Sequence, residues 1–215
     1  MQSGKQINKT MKESKYLYLI DAGHGGLIGG KYQTRGKRSP KFDNGFVLYE
    51  GVNNRDNARL IMDEMKKENI RFHYLTDTND DISLAERVSK ANEISRVDKC
   101  IYLSIHSNAS GSGGDWGKAK GNGVYIYTSP SRKTKAIAEV FASEIESNFE
   151  DLTKWRGIKN RNFYVLRKTS CPAVLFELGF HDHKEESELM LTEKWKKEVV
   201  KSIINSIKIW EESKI

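Results

Sequence analysis

Residues 16–26 read YLYLIDAGHGG, and this stretch decides the fold. Its opening, Tyr16–Ile20, is aromatic and aliphatic, a composition that packs well on a pleated surface. It stops at Asp21 and at a histidine, His24, set among Gly23, Gly25 and Gly26. Glycine lacks a Cβ and tolerates the positive φ of a tight turn, so such a turn can project an imidazole beyond the strand end. Two further apolar runs end in the same manner: CIYLSIHSNA over 100–109 carries His106, and AVLFELGF over 173–180 carries Glu177. Ligands of open α/β sheets bind beyond the carboxyl ends of the strands, so the three ends are expected to converge on one site.

Outward from these runs, strand-like and helical patterns alternate. The strand over Tyr16–Asp21 is followed by a helix over about Asn53–Glu68, a strand over Ile70–Thr76 and a helix over Leu84–Ser95. Ser83, with Glu86 three residues on, makes a capping box for the second helix. Next come a strand at Cys100–Ile105, an exposed, flexible glycine-rich loop at Gly111–Gly123 and a strand at Val124–Thr128. A helix over Arg132–Phe149 then carries Ile137, Val140, Phe141 and Ile145 on one side. Phe163–Arg167 and Ala173–Glu177 read as two more strands, and a long helix from about Glu193 closes the chain. Its stripe of Trp195, Val199, Val200, Ile203, Ile204, Ile207 and Trp210 has the spacing of a helix packed on a sheet. This is an α/β fold, and 215 residues fit one domain, since single cores usually serve up to roughly 250 residues. Residues 1–15 are polar and lysine-rich and read as a flexible arm, which leaves 16–215 as the domain. There is no internal repeat and no interdomain linker.

A hydrophobic fraction of 37% with 30% charged residues excludes a disordered chain. The net charge of +7 implies attraction to polyanions, and charge alone leaves nucleic acid, anionic membrane and anionic wall polymer in competition. Lys194, Lys196, Lys197 and Lys201 follow a helix face and read as solvated surface. The denser cluster of Lys31, Arg35, Lys37, Arg38 and Lys41 lies in the loop after the glycine turn, where it can meet a substrate. Cys100 and Cys171 are far apart, outside any CxxC pair, and read as reduced core residues. No segment has the length and apolarity of a secretion signal or a membrane span.

Two neutral imidazoles and one carboxylate, with a fourth position open, form the usual ligand set of a catalytic zinc site. His24 and His106 supply the imidazoles, and Asp21, Glu50 and Glu177 are all available as the acid. Glu50, just before the Asn53 helix, can lean into the cleft, although an acid there also simply favours the helix dipole. Glu177 ends an apolar run, where a buried carboxylate needs either an ion-pair partner or a metal site. Ser107 lacks a glycine-flanked nucleophile elbow and reads as a supporting hydroxyl. His73 reads as a strand or surface histidine, and His181 and His183 as extra ligands, supporting partners or plain loop residues. Trp116, in the glycine-rich loop, suits either stacking on a sugar or peptide or anchoring of its loop.

The blocks DAGHGG, YEGVNNRDNARL, LSIHSNAS and RGIKNRNFYVLRKTSCPAVLFELGF, in this order and spacing, resemble the zinc-dependent amidase 3 family of N-acetylmuramoyl-L-alanine amidases from Tyr16 onward. The resemblance implies His24, Glu50 and His106 as ligands of one zinc ion and Glu177 as the catalytic carboxylate. It also implies a twisted, mixed and mostly parallel sheet flanked by helices. The implied reaction is hydrolysis of the amide between N-acetylmuramic acid and L-alanine in peptidoglycan. Glu177 would take a proton from water and return it to the departing nitrogen. Arg156 and Arg167 lie in resembling blocks and are expected to line the cleft. The sequence departs from the family's pattern at Ala22, where proline is common, at the long Gly25–Tyr49 connection and at His183, where asparagine is common.

The expected partners are then peptidoglycan and, through the Lys31–Lys41 loop, anionic wall polymers, with no nucleic acid and no membrane insertion. With neither a signal segment nor a wall-binding module, the chain reads as a phage endolysin made in the cytoplasm and released to the wall by lysis-type export. The other reading is a wall-remodelling enzyme whose export segment was removed. The rival functions are another zinc peptidase acting on the stem peptide and a non-enzymatic, basic polyanion-binding module.

Overall fold

Side chains of a strand point alternately to its two faces, and this period of two sorts the residues of the central strands. The computed structural model describes residues 13–111 and 114–213. Its strands are β1 (Leu17–Ala22), β2 (Leu27–Ile28), β3 (Lys31–Tyr32), β4 (Phe72–Tyr74), β5 (Cys100–Asn108), β6 (Asn122–Ile126), β7 (Trp155–Asn160) and β8 (Ala173–Phe180). Its helices are α1 (Glu50–Lys67), α2 (Leu84–Ser95), α3 (Arg132–Phe149), α4 (Tyr164–Lys168), α5 (Lys184–Met190) and α6 (Glu193–Glu212). The main sheet has the order β4-β1-β5-β8-β6-β7, and β2 pairs with β3 apart from it. Strands β4, β1, β5 and β8 are parallel neighbours, β6 is antiparallel to β8, and β7 is parallel to β6. The mixed, mostly parallel sheet flanked by helices is the expected architecture.

On one face Tyr18, Ile20, Ile101, Leu103, Ile105, Val174 and Phe176 form the larger core with α1, α3 and α6. On the other, Leu19, Tyr102, Tyr125, Ala173 and Leu175 meet Val88 and Ala91 of α2 and Val165 and Leu166 of α4. The stripe of α6 is buried from Trp195 to Trp210, apart from the partly buried Val200. Alternation places Asp21, Ser104, His106 and Glu177 in phase with the second face, at the carboxyl ends of their strands.

The helices at Leu84–Ser95 and Arg132–Phe149 fall where the spacing predicts them. Ser83 accepts from the backbone N–H of Glu86 at 3.2 Å, whereas the Glu86 carboxylate pairs with Lys90 at 2.9 Å, so half of the capping box forms. Helix α1 starts at Glu50, earlier than expected, because the carbonyl of Tyr49 already accepts from Val52 and Asn53. Phe163–Arg167, expected as a strand, is instead the helix α4. Five residues are too few to display a helical period, and the buried pair Val165 and Leu166 mimics an apolar strand run. The neighbouring strand is β7, whose residues are at most partly buried and so carry no apolar signature. Residues 1–12 of the expected arm lie outside the described residues. Ser14, by contrast, is buried and accepts from Arg71 N–H, and the Lys15 and Tyr16 N–H groups donate to the Glu211 carboxylate on α6.

The second face also holds a buried ion pair. Asp21 accepts from Arg87 at 2.5 Å, Tyr102 at 2.7 Å and Ser104 at 2.6 Å, while Arg87 also donates to the carbonyls of Ile82 and Ala22. Breaking a buried pair by removing one partner typically costs about 3–5 kcal/mol, because the other charge stays buried. Arg87→Met is therefore expected to lose about that much stability in urea unfolding. Adding Asp21→Asn should recover part of the loss, and a double variant as unstable as the sum of the singles would place the cost elsewhere.

Candidate active site

The site is built from the turn after β1, the first residue of α1, and the ends of β5 and β8. His24 adopts φ 67°, a left-handed conformation that costs a non-glycine residue free energy and persists only when its surroundings enforce it. Its carbonyl accepts from Arg55 at 2.6 Å and from Arg87 at 3.2 Å, so two buried arginines hold the turn. Gly23 is required by close approach: a Cβ there would lie 2.1 Å from the His106 ring. Gly51, beside Glu50, is required likewise, since its Cβ would meet the Gly25 carbonyl at 2.0 Å. Turn and helix start are thus pressed together with no side chain between them.

Glu50 is buried, its carboxylate 3.2 Å from His24 Nε2 and 3.1 Å from His106 Nδ1. Asn54 and the Ser107 N–H donate to its Oε1. Burial alone would raise this carboxyl, but hydrogen bonds from His106 and His24 outweigh it and hold it well below the usual range. Burial would lower His106, yet its hydrogen bond with Glu50 and that residue's charge raise it instead. One ligand atom from each of His24, Glu50 and His106 lies within 4.8 Å of the others. Two imidazoles and a carboxylate beside an open cleft form a donor set suited to a divalent metal ion. Of the three candidate acids, Asp21 is engaged by Arg87, and Glu50 is the one grouped with the two histidines.

Glu177 stands opposite His106 in the β5–β8 register and opposite Gly123 in β6. Its Oε2 is buried and has no hydrogen-bond partner among the described residues. Desolvation, opposed by the charges of His106 and Lys37 and reinforced by that of Glu50, pushes its carboxyl up to about 7. It therefore exchanges a proton near neutrality, and it borders a cleft of about 510 Å³ that also contains His24, His106, Lys37 and Tyr164.

Of the basic loop, Lys37 reaches this cleft, while Lys31, Arg35 and Lys41 are exposed. Arg38 is partly buried and bridges to Tyr49 through its backbone. Trp116 packs edge-on against Phe42 with ring centroids 4.8 Å apart, the anchoring arrangement. Arg156 lies over the Phe180 ring, and exposed Arg167 donates to Asn162. His181 is buried, its Nδ1 3.1 Å from Ser107 Oγ and 3.8 Å from Glu50 Oε2, so it backs the cluster from behind. His183 caps α5 by accepting from the Glu186 N–H, and His73 is exposed on β4. The glycine-rich loop is tied to Asp182, which accepts from the Ser110 and Gly111 N–H groups. Sequence reasoning missed Arg55 and Arg87 as holders of the His24 turn. The available signal was an arginine in phase with the buried side of each helix.

Residues 19–209 match the N-acetylmuramoyl-L-alanine amidase family. An uncharacterised cell wall amidase of Bacillus anthracis is 28% identical over 94% of this chain and 37% of its own length. A probable cell wall amidase, LytH, of Staphylococcus saprophyticus is 28% identical over 95% of this chain and 60% of its own. The chain thus spans less than two thirds of the length of these two relatives. The crystal structure of an N-acetylmuramoyl-L-alanine amidase from Clostridium difficile 630 superposes with a TM-score of 0.78 at 26% identity, covering 94% of this chain and 100% of that one. With residues 19–209 matched, the chain belongs to the N-acetylmuramoyl-L-alanine amidase family.

Proposed function

We propose that this chain is a zinc-dependent hydrolase of the amide bond between N-acetylmuramic acid and L-alanine in peptidoglycan. The observation that carries the reading is the pairing of Glu177, an unpartnered carboxyl raised to about 7, with the adjacent His24, Glu50 and His106 cluster in a family of that activity. His24, Glu50 and His106 would hold the metal. When bound, zinc supplies Lewis acidity, which polarises the carbonyl and makes water acidic enough to ionise near neutral pH. Glu177 accepts the proton of the attacking water and delivers it to the departing alanine nitrogen. The Arg55 and Arg87 bonds to the His24 carbonyl, and the Asn54 and Ser107 donors on Glu50, keep the ligands oriented without rearrangement. Product analysis after digestion of purified peptidoglycan tests the reading. New N-terminal L-alanine, lost on chelation, is the expected outcome, whereas other new amino groups would indicate a stem-peptide peptidase.

His24→Ala and His106→Ala should each lose tightly bound zinc, measured by metal analysis after dialysis. Stoichiometric zinc in both variants would overturn the ligand set.

Glu177→Gln should retain zinc and wall binding while turnover falls about 100- to 10,000-fold, the usual contribution of a positioned acid–base group. Loss of zinc, or near-normal turnover, would refute the assignment. The same variant has a thermodynamic signature in the metal-free protein. The folded-state pKa is raised from 4.5 to about 7, so the parent loses stability as pH rises through that window. Glu177→Gln should therefore be the more stable protein at pH 8, by up to about 3 kcal/mol, and should lose that advantage at pH 4.

Capture of anionic wall polymer is assigned to Lys31, Arg35, Lys37 and Lys41, exposed on one connection of which Lys37 lines the cleft. Neutralising Lys31, Arg35 and Lys41 should weaken binding to intact walls more than cleavage of a small soluble fragment. Salt should mimic this, since exposed charges are screened over about 8 Å at physiological ionic strength. Unchanged binding and salt response would reduce the loop to plain solvated surface.

A further inference from the structure

Glu177 borders a second cavity, of about 330 Å³, on the side of β8 where β6 and β7 lie. Its walls include Asn108, Tyr125, Arg156, Arg161 and Phe180. Two guanidinium groups face this space, and neither has a carboxylate within ion-pair distance among the described residues. Arg156 lies 4.9 Å over the Phe180 ring and donates once, to the Lys120 carbonyl, while its Nε is buried without a partner. The Arg161 guanidinium lies 5.8 Å over the Tyr125 ring, and its one hydrogen bond among the described residues goes to its neighbour's carbonyl, that of Asn160. The Asn108 amide is oriented by its own bonds: Oδ1 accepts from the Ala109 N–H, and Nδ2 donates to the Tyr125 hydroxyl at 3.3 Å. Having accepted that bond, the Tyr125 hydroxyl keeps its proton, for which the described residues offer no acceptor. The cavity thus presents one O–H and two guanidinium donors, and the one carboxyl on its walls, that of Glu177, forms no ion pair or hydrogen bond with them.

The walls are also fixed in advance. The buried Glu186 of α5 accepts from the Gly121 and Phe180 N–H groups, at 3.0 Å and 2.7 Å for the nearer oxygens, pinning the strand ends that carry Arg156's neighbours. A preorganised cluster of donors beside a catalytic acid loses little freedom when its ligand binds.

We propose that this cavity is the subsite for the free carboxylate of the second stem-peptide residue, an inference that rests on the amidase reading. Glu177 borders both cavities and delivers its proton to the leaving nitrogen, so the two sides of the scissile bond divide between them. The sugar side carries hydroxyl and N-acetyl groups but no anion that would gain from two guanidinium ions. On the peptide side, alanine is followed by a γ-linked glutamate whose α-carboxylate is free, or by its amide where that group is amidated. Arginine forks and a tyrosine hydroxyl recognise the carboxylate, and the neutral amide forfeits the charge-assisted bonds.

The test compares two soluble muropeptides that differ only in a free or amidated second residue. The zinc-loaded parent should favour the acid over the amide by about 10- to 100-fold in kcat/KM, the value of one or two charge-assisted hydrogen bonds. Arg161→Gln, at an exposed position that spares the fold, should bring this ratio close to one, and Arg161→Lys should restore part of it. Arg156→Gln should act in the same direction. Its packing on Phe180 makes partial unfolding a concern, but a ratio of kcat/KM values is independent of the active fraction. Cleavage at the alanine amide with a ratio near one in the parent, or a ratio that both glutamine variants leave intact, would overturn the subsite alone. Cleavage of neither substrate at that bond would overturn the amidase reading and the subsite with it.

Discussion

Everything at the site depends on the register of three parallel strands. β1, β5 and β8 are aligned so that Asp21 stands beside Ser104 and His106 beside Glu177. Because side chains alternate with a period of two, a one-residue slip of β8 would turn Glu177 towards the apolar face covered by α3 and α6 and bring Phe176 or Leu178 to the cleft. The burial of both faces forbids that slip: Val174 and Phe176 fit one core, Ala173 and Leu175 the other. The hydrophobic packing of the sheet is therefore also what aims the acid and the imidazole at each other.

Three carboxylates sit at or near the strand ends, and their partners give each a different role. Asp21 meets a guanidinium and two hydroxyls, which together outweigh its desolvation and keep it ionised as a structural anion. Glu50 is equally buried but meets two imidazoles, with which it forms a group able to hold a metal ion. Glu177 has no donor on Oε2, so desolvation dominates and its proton is held up to about neutrality. Chemically identical groups a few residues from a strand end are thus set apart as a fixed charge and, in the proposed reaction, a ligand and a proton carrier. The difference lies in which donors the second face and α1 bring to them.

This division also shows which features the sequence could disclose. The α/β alternation, the boundaries of α2 and α3 and the stripe of α6 are legible because each is long enough to display its period. The glycines around His24 were legible as a turn, and the turn does carry a left-handed histidine. Local reading could not choose among Asp21, Glu50 and Glu177, because the choice is made by Arg87, 66 residues from Asp21, and by His106, 56 residues from Glu50. Helix α4 was misread since Val165 and Leu166 are adjacent apolar residues in an element too short for periodicity. β7 was missed because a half-buried edge strand has no apolar run to read. The contribution of Asn108 and Tyr125 to the second cavity was equally hidden, for it arises from pairing β8 with an antiparallel β6.

The antiparallel β6 has a consequence for the chemistry. If the sheet had continued in parallel beyond β8, the next strand would have presented its carboxyl end beside Glu177, extending a single cleft. Instead β6 runs the other way, Gly123 stands opposite Glu177, and Tyr125 lies two residues further along β6, opposite Leu175. Glycine at that crossing leaves space next to the carboxyl, and the reversal lets the ends of β6 and β7 bring Tyr125, Arg156 and Arg161 to the side of Glu177 remote from the histidines. In the proposed reaction the proton carrier must reach both the attacking water and the departing nitrogen, two neighbouring substituents of the same tetrahedral carbon. A carboxyl placed on the wall between two cavities meets that requirement with no large movement of the backbone, and the strand reversal is what puts it there.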